Sequence, residues 1–297
     1  MSGGGDSLGL LLLAAAAYPG AVIAATVDHG LRAGAAEEAA FVGSVCGRLN
    51  VPHAVLRGPN AELTGNLQQA ARRLRYRLLA QWAGDAPWLA VAHQQDDVAE
   101  TFLMRARRGA GVGGLAAMAE RRTLRPGLAL VRPLLGWSRA ELAGVVRAAG
   151  IEPVEDPSNR HARFDRARIR QLLADTGELR SDRLALAASN LRHAEDALAC
   201  FAEQEWALRA DSHYLVDAYN VSVSIKSMPY EIRRRLAKRA ICQVIEHAKL
   251  SASPKLERLD ALVQMLDRGG TGTIAGVQAR ARDATWTFSV APPRRSH

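Results

Sequence analysis

Ser2-Gly3-Gly4-Gly5-Asp6-Ser7 runs directly into the apolar stretch Leu8 to Ala17. Glycines let backbone N–H groups turn toward one point with no Cβ in the way. A helix starting just after them aims the positive end of its dipole at that point. Ser2 and Ser7 add hydroxyl donors, and Asp6 is placed to hold Mg²⁺ on bound phosphates. The segment reads as an anion cradle. It is not the GxxxxGK[ST] nucleotide loop, since no lysine follows the glycines. A flexible glycine-rich tail is the simpler alternative, but a tail has no need to feed straight into an apolar helix.

A second set of groups is His93-Gln94-Gln95-Asp96-Asp97-Val98-Ala99-Glu100-Thr101, of the form HxxDDxxET. If a helix winds from Asp96, then Asp96 and Glu100 share one face, and Asp97 and Thr101 share another. Such a cluster suits Mg²⁺ or an ammonium group, and exceeds what helix capping needs. Zinc is a poorer reading, because the spacing lacks a second His or any Cys. A third motif, Asp28-His29-Gly30-Leu31-Arg32, follows an apolar strand-like run and ends in an arginine fit for a phosphate or carboxylate.

Arginines form further groups. Arg72, Arg75 and Tyr76 lie on neighbouring turns of one helical stretch, a combination suited to phosphate contact and base stacking. Arg107 and Arg108 flank Gly109-Ala110-Gly111-Val112-Gly113-Gly114, which follows a helix rather than a strand and so fails as a dinucleotide fingerprint. It reads instead as a flexible substrate loop. Arg166, Arg168 and Arg170 alternate in Phe164 to Arg170, with Arg166 and Arg170 on one helix face. Arg233 and Arg234 begin a dense basic cluster that includes Arg235, Lys238 and Arg239.

These motifs need elements to hold them. Strand-like runs at 20–27, 53–56 and 88–92 alternate with helical patterns at 35–49, 66–82, 97–107 and 139–149, the last with Ser138 as N-cap. That alternation predicts an α/β fold with a parallel, doubly wound sheet, whose strand-end loops all fall on one edge. The three polar motifs converge there. A catalytic domain is expected over 1–178 and a helical linker over 179–211. A small α/β domain is expected over 212–297, with a turn at Gly269 to Thr273. Only Met1 precedes the phosphate loop, so the strand that would enter it is expected upstream, and a version extended upstream is expected to be more stable.

The chain of 297 residues carries a net charge of +9, which points to a polyanionic partner. Nearly all the positive charge is arginine; the lysines are Lys226, Lys238, Lys249 and Lys255. Cys46, Cys200 and Cys242 are far apart, as in a reducing cytoplasm without disulfides or a zinc site. No apolar run reaches the roughly 20 residues of a membrane span.

The loop resembles the pyrophosphate loop of the N-type ATP pyrophosphatases. Taken together, SGGGDS, DHGLR, Ala71 to Tyr76 (ARxxRY), HxxDDxxET, Arg108 to Leu115, RPLL at Arg132 to Leu135, DPSN at Asp156 to Asn159 and DRARIR at Asp165 to Arg170 resemble, in order, the tRNA(Ile)-lysidine synthases. The resemblance is close over about residues 1–175 and loose beyond. It implies that ATP adenylates C2 of the wobble cytidine in a tRNA(Ile) with a CAU anticodon, and that free L-lysine then displaces AMP. It implies an ATP site at Ser2, Gly3, Gly4, Gly5, Asp6, Ser7 and His29, and Mg²⁺ on Asp6 and Asp97. The chemistry would rest on Asp6, His93, Asp96, Asp97 and Glu100, with a carboxylate or His93 as general base. RNA contacts would come from Arg72, Arg75, Tyr76, Arg107, Arg108, Arg166, Arg168, Arg170, Arg233 and Arg234. A cytoplasmic setting is implied, and a homodimer is left open.

One departure is Ala167, where the family has Asn after the first arginine of its RNRIR-like motif. The chain is also short for the extra C-terminal domain of longer members. Three alternatives stand beside this reading: a tRNA thiolase of the same loop family, which would need paired cysteines; an amidating synthetase, which would not need the basic helices; and an inactive RNA-binding relative.

Overall fold

The computed structural model describes residues 1–28, 34–58, 67–154, 165–215, 218–250 and 258–292. Contacts divide the chain into two compact units, Met1–His193 and Ala194–His297.

In the first unit, helices α1 (Gly5–Ala17), α2 (Ala35–Arg48), α3 (Leu67–Trp82), α4 (Gln95–Ala106), α5 (Val112–Leu115), α6 (Arg139–Ala148) and α7 (Asp165–Asp175) surround short strands. The strands are β1 (Ala24–Asp28), β2 (His53–Arg57), β3 (Trp88–Ala90), β4 (Arg121–Arg125) and β5 (Leu128–Val131). β1 pairs with β2 in parallel, and β3 pairs with β5 in parallel. Adjacent residues of β1 point to opposite layers, as strand geometry requires. Ala24 packs with Leu8, Leu11, Val42, Val45 and Val146 from α1, α2 and α6. Ala25 packs with Leu79, Leu89, Leu128 and Leu130 on the α3 side. Helices therefore cover both faces, as expected of a doubly wound α/β fold.

Two features differ from the sequence reading. The described strands form two separate parallel pairs, and β4 adds an antiparallel strand beside β5. Gly109 to Gly114 is not wholly a flexible loop. Val112–Leu115 forms α5, braced where Arg105 donates to the carbonyls of Gly114 (2.7 Å) and Ala117 (2.9 Å).

Helix α8 (Ser181–Arg209) crosses from the first unit into the second. The second unit is a five-stranded antiparallel sheet of β6 (Ala210–Leu215), β7 (Ala218–Ser224), β8 (Thr271–Ile274), β9 (Val277–Arg282) and β10 (Thr285–Val290), in the order β6-β7-β10-β9-β8. Val221, Val223, Val277, Ala279, Trp286 and Phe288 alternate inward against α9 (Tyr230–His247) and α10 (Leu259–Asp267). The turn expected over Gly269 to Thr273 is confined to its start, where Gly269 closes α10 at φ +78°, and Thr271 already begins β8. Gly272 lets that strand approach α10, because a Cβ there would stand 2.6 Å from Leu262 Cδ1.

Candidate active site

Helix α1 begins at Gly5, with no side chain capping its first turn. Gly3 sits at φ +73°, a left-handed conformation natural to glycine, and its carbonyl accepts from Val154 N at 3.0 Å. Ser7 Oγ donates to the Gly4 carbonyl at 2.9 Å, and Ser2 Oγ lies 3.2 Å from Ser7 Oγ. The loop is thus held from inside while the first helical N–H groups keep no side-chain acceptor. That is the condition for binding an anion at a helix N-terminus.

Helix α4 brings its own N-terminus to the same place. Gln94 is its N-cap: the side chain accepts from Asp96 N, and Asp97 Oδ2 accepts from Gln94 N at 3.2 Å. Asp96 Oδ2 accepts from Arg139 N, at the start of α6, at 3.1 Å. Asp6 is set among Arg139, Asp97, Gln94 and Asp96, and burial pushes its carboxyl above the usual range. Asp97 and Asp96 add to that rise; Arg139 and the Gln94 amide oppose it. Two of the three expected motifs therefore converge. Of the third, Asp28 ends β1 and its Oδ2 accepts from Arg57 Nε at 3.3 Å; His29 to Arg32 lie outside the described residues, as does DPSN.

Glu100 is 1% exposed and surrounded by guanidinium groups. Arg170 Nε stands 2.6 Å from one oxygen, Arg166 Nε 3.2 Å from the other, and Arg139 Nη2 at 3.7 Å. Burial raises its carboxyl, with the Arg170 hydrogen bond opposing. Arg166 and Arg170, expected on RNA, are engaged with this carboxylate, while Arg168 is exposed. His93 Nδ1 accepts from Arg132 Nε at 3.2 Å. Burial lowers the His93 pKa to about 4; Asp97 opposes this, while Arg132, Arg72 and Arg166 reinforce it. The ring is therefore neutral at pH 7 with its Nδ1 lone pair engaged.

Among the described residues, no group of three or more His, Cys, Asp or Glu side chains could hold a metal ion alone. Asp6 and Asp97 fit Mg²⁺ as two carboxylates that leave its other positions to phosphate and water oxygens, which is how Mg²⁺ commonly binds.

Residues 1–176 match the model of the PP-loop domain family. A tRNA(Ile)-lysidine synthase of Novosphingobium aromaticivorans is 41% identical over all of this chain and 89% of its own length. The enzyme of the same name from Zymomonas mobilis is 39% identical over 99% of this chain and 88% of its own length. The chain belongs to the tRNA(Ile)-lysidine synthase family. In fold it also resembles a solved U34-tRNA thiolase from Methanococcus maripaludis, with TM-score 0.54, 16% identity, and coverage of 65% of this chain and 69% of that one.

The remaining arginines fall into two classes in this member of the tRNA(Ile)-lysidine synthase family. Arg72, Arg73, Tyr76 and Arg122 line a surface groove of about 420 Å³. Arg72 and Arg122 both stack on Tyr76, at 5.1 and 5.2 Å from the ring centroid, and Arg72 Nη2 donates to the Tyr76 hydroxyl at 3.3 Å. Tyr76 therefore holds guanidinium groups, where the sequence suggested a base-stacking surface. Arg75, Arg107 and Arg108 are exposed. In the second unit Arg233 pairs with Asp267 and Arg234 with Asp260, each at 2.8 Å.

Sequence reasoning passed over Gln94, Arg122, Arg132 and Arg139. Arg132 lay within RPLL and Arg139 within a recognised helix start, but nothing local tied either to the acidic motif. Among the described residues, no helix is long and apolar enough to cross a membrane.

Proposed function

We propose that this chain joins L-lysine to C2 of the wobble cytidine of a tRNA(Ile) bearing a CAU anticodon. The C2 oxygen attacks the α-phosphorus of ATP and pyrophosphate leaves. The lysine ε-amine then attacks C2, and AMP leaves with the former C2 oxygen. The observation that carries this reading is the meeting of the uncapped α1 N-terminus with the acidic start of α4, in a chain related to these enzymes along its whole length.

Each step has residues suited to it. The Ser2–Ser7 loop takes the phosphate chain, and Asp6 and Asp97 would hold Mg²⁺, which would supply charge to offset the leaving pyrophosphate. The carboxylates of Asp96 and Asp97 attract the lysine ammonium, while Glu100 is spent on its three guanidiniums. The three guanidiniums around Glu100 outnumber it and keep donors for a phosphate or for the amino acid's own carboxylate. Lysine must lose a proton before it attacks. His93 has its Nδ1 acceptor engaged by Arg132, so in this reading the base is a carboxylate, Asp96 or Asp97. Arg72 and Arg75, with Arg73 and Arg122 of the groove, offer guanidinium groups to the RNA; Arg107, Arg108 and Arg168 would reach it from existing partners, and Arg233 and Arg234 would have to exchange an acid for a phosphate. The cytoplasm, where tRNA and free lysine meet, is the setting this chemistry requires.

The test is pyrophosphate release with ATP, Mg²⁺ and this tRNA, with and without L-lysine, followed by mass analysis of the RNA. Lysine-dependent lysidine is expected, lost at least a hundredfold in Asp6→Ala and Asp97→Ala while tRNA affinity stays within a few-fold. Full activity in either variant would remove the site. Adenylation without a lysine adduct would transfer the chain to another reaction of the loop family.

A further inference from the structure

The Gln94 side chain is 0% exposed. Its Oε1 accepts from Asp96 N, and that bond fixes which way the amide faces, because only the oxygen accepts. Nε2 must then point away from the helix end. It is buried, faces the Asp6 carboxylate, and makes no hydrogen bond of normal distance and angle there. Buried amide donors are almost always satisfied in folded proteins, so an unsatisfied one at a site asks for an explanation.

Capping does not explain it. Asn, Asp, Ser and Thr are the favoured N-cap residues, and Ser, Thr or Asp would supply the acceptor without leaving a buried amide N–H₂ behind. The position of Gln94 does explain it. Its neighbour is Asp6, in the first turn of α1, beside N–H groups that no side chain caps. One side chain thus stands where the glycine loop and the acidic helix meet, fixed by its oxygen to α4 and presenting its nitrogen toward the start of α1.

We infer that Gln94 Nε2 is a ligand-positioning donor, giving its hydrogen bond to an oxygen of the phosphate chain bound in the Ser2–Ser7 loop. The inference rests on reading that loop as phosphate-binding. It adds a neutral donor to a place crowded with the carboxyls of Asp6, Asp96 and Asp97. Gln94 therefore orients the phosphates without adding charge, and couples their arrival to the end of α4 that carries Asp96 and Asp97.

The experiment is calorimetric titration of the full chain with inorganic pyrophosphate and Mg²⁺, without tRNA or lysine, together with thermal melts. Gln94→Glu keeps an acceptor for Asp96 N and loses the donor. Gln94→Met keeps the length and loses both. Both variants are expected to bind pyrophosphate at least tenfold more weakly, with only Gln94→Met melting earlier. In turnover the KM for ATP rises in both, and the Kd for tRNA stays within twofold. Wild-type affinity in either variant overturns the inference; weakening confined to Gln94→Glu would report charge repulsion alone. Failure of the wild-type chain to bind pyrophosphate would instead overturn the phosphate-loop reading on which the inference stands.

Discussion

The arginines of α9 and those around Tyr76 meet opposite surroundings. On α9, Arg233 has Asp267, Arg234 has Asp260, Arg235 has Glu195 at 2.6 Å, and Arg239 has Glu203. Around Tyr76, Arg72 and Arg122 have an aromatic ring, and no carboxylate pairs with Arg72, Arg73 or Arg122 among the described residues. A carboxylate both holds a guanidinium and neutralises it. A ring holds it by its quadrupole, worth about 0.5–1 kcal/mol at an exposed site, and leaves the charge intact. The net charge of +9 is therefore a poor guide to where a polyanion would bind. The places that matter are those where cations are positioned without being cancelled.

The comparison can be tested from its strongest point downward. Glu100 is its extreme case, one buried carboxylate serving three guanidiniums. Glu100→Ala leaves them unpaired but part-exposed and is expected to lower stability by about 2–3 kcal/mol in urea unfolding. A loss below about 1 kcal/mol would mean that these arginines turn to solvent at little cost, so that pairing does not fix them. Next, Arg72→Ala with Arg122→Ala is expected to weaken tRNA binding about 30- to 100-fold at low salt. The slope of log affinity against log salt should become shallower by about 1–2. An unchanged slope would place the RNA elsewhere. The smallest effect is expected for Arg233→Ala with Arg234→Ala: tRNA affinity within about threefold and stability lower by roughly 0.5–1 kcal/mol. A tenfold loss of tRNA affinity would break the comparison and return α9 to the RNA interface.

The fold was legible where local pattern sufficed. Ser138 read as a helix N-cap, and the structure adds a reciprocal partner, with Glu141 Oε2 accepting from Ser138 N at 2.7 Å. The alternation of apolar runs and helices likewise announced a sheet covered on both faces. β4 was not legible, because Arg121 to Arg125 carries three arginines and becomes a strand only by pairing with buried β5. Gly270, just before β8, and Gly272 within it read as turn residues but admit Met265 and Leu262 of α10. In the site, the aspartates showed in their motif, since their chemistry and spacing are local. Gln94 did not, because an unsatisfied amide is visible only once its surroundings are known. Arg122 reaches Tyr76 across a long sequence separation, and spacing along the chain could not say which acid meets which arginine on α9.

The first unit contains no lysine: Lys226, Lys238, Lys249 and Lys255 all lie in the second. Every fixed side-chain cation around Glu100 and Tyr76 is a guanidinium, delocalised and non-nucleophilic at neutral pH. An amine fixed near a cytidine activated at C2 would attack it and tether the RNA to the protein, ending turnover. On the proposed function, a unit whose fixed side-chain cations are arginines would hold RNA and activated base with no lysine side chain to rival the incoming amino acid. Within this unit, the side chains that guide the substrate are ones the reaction cannot consume.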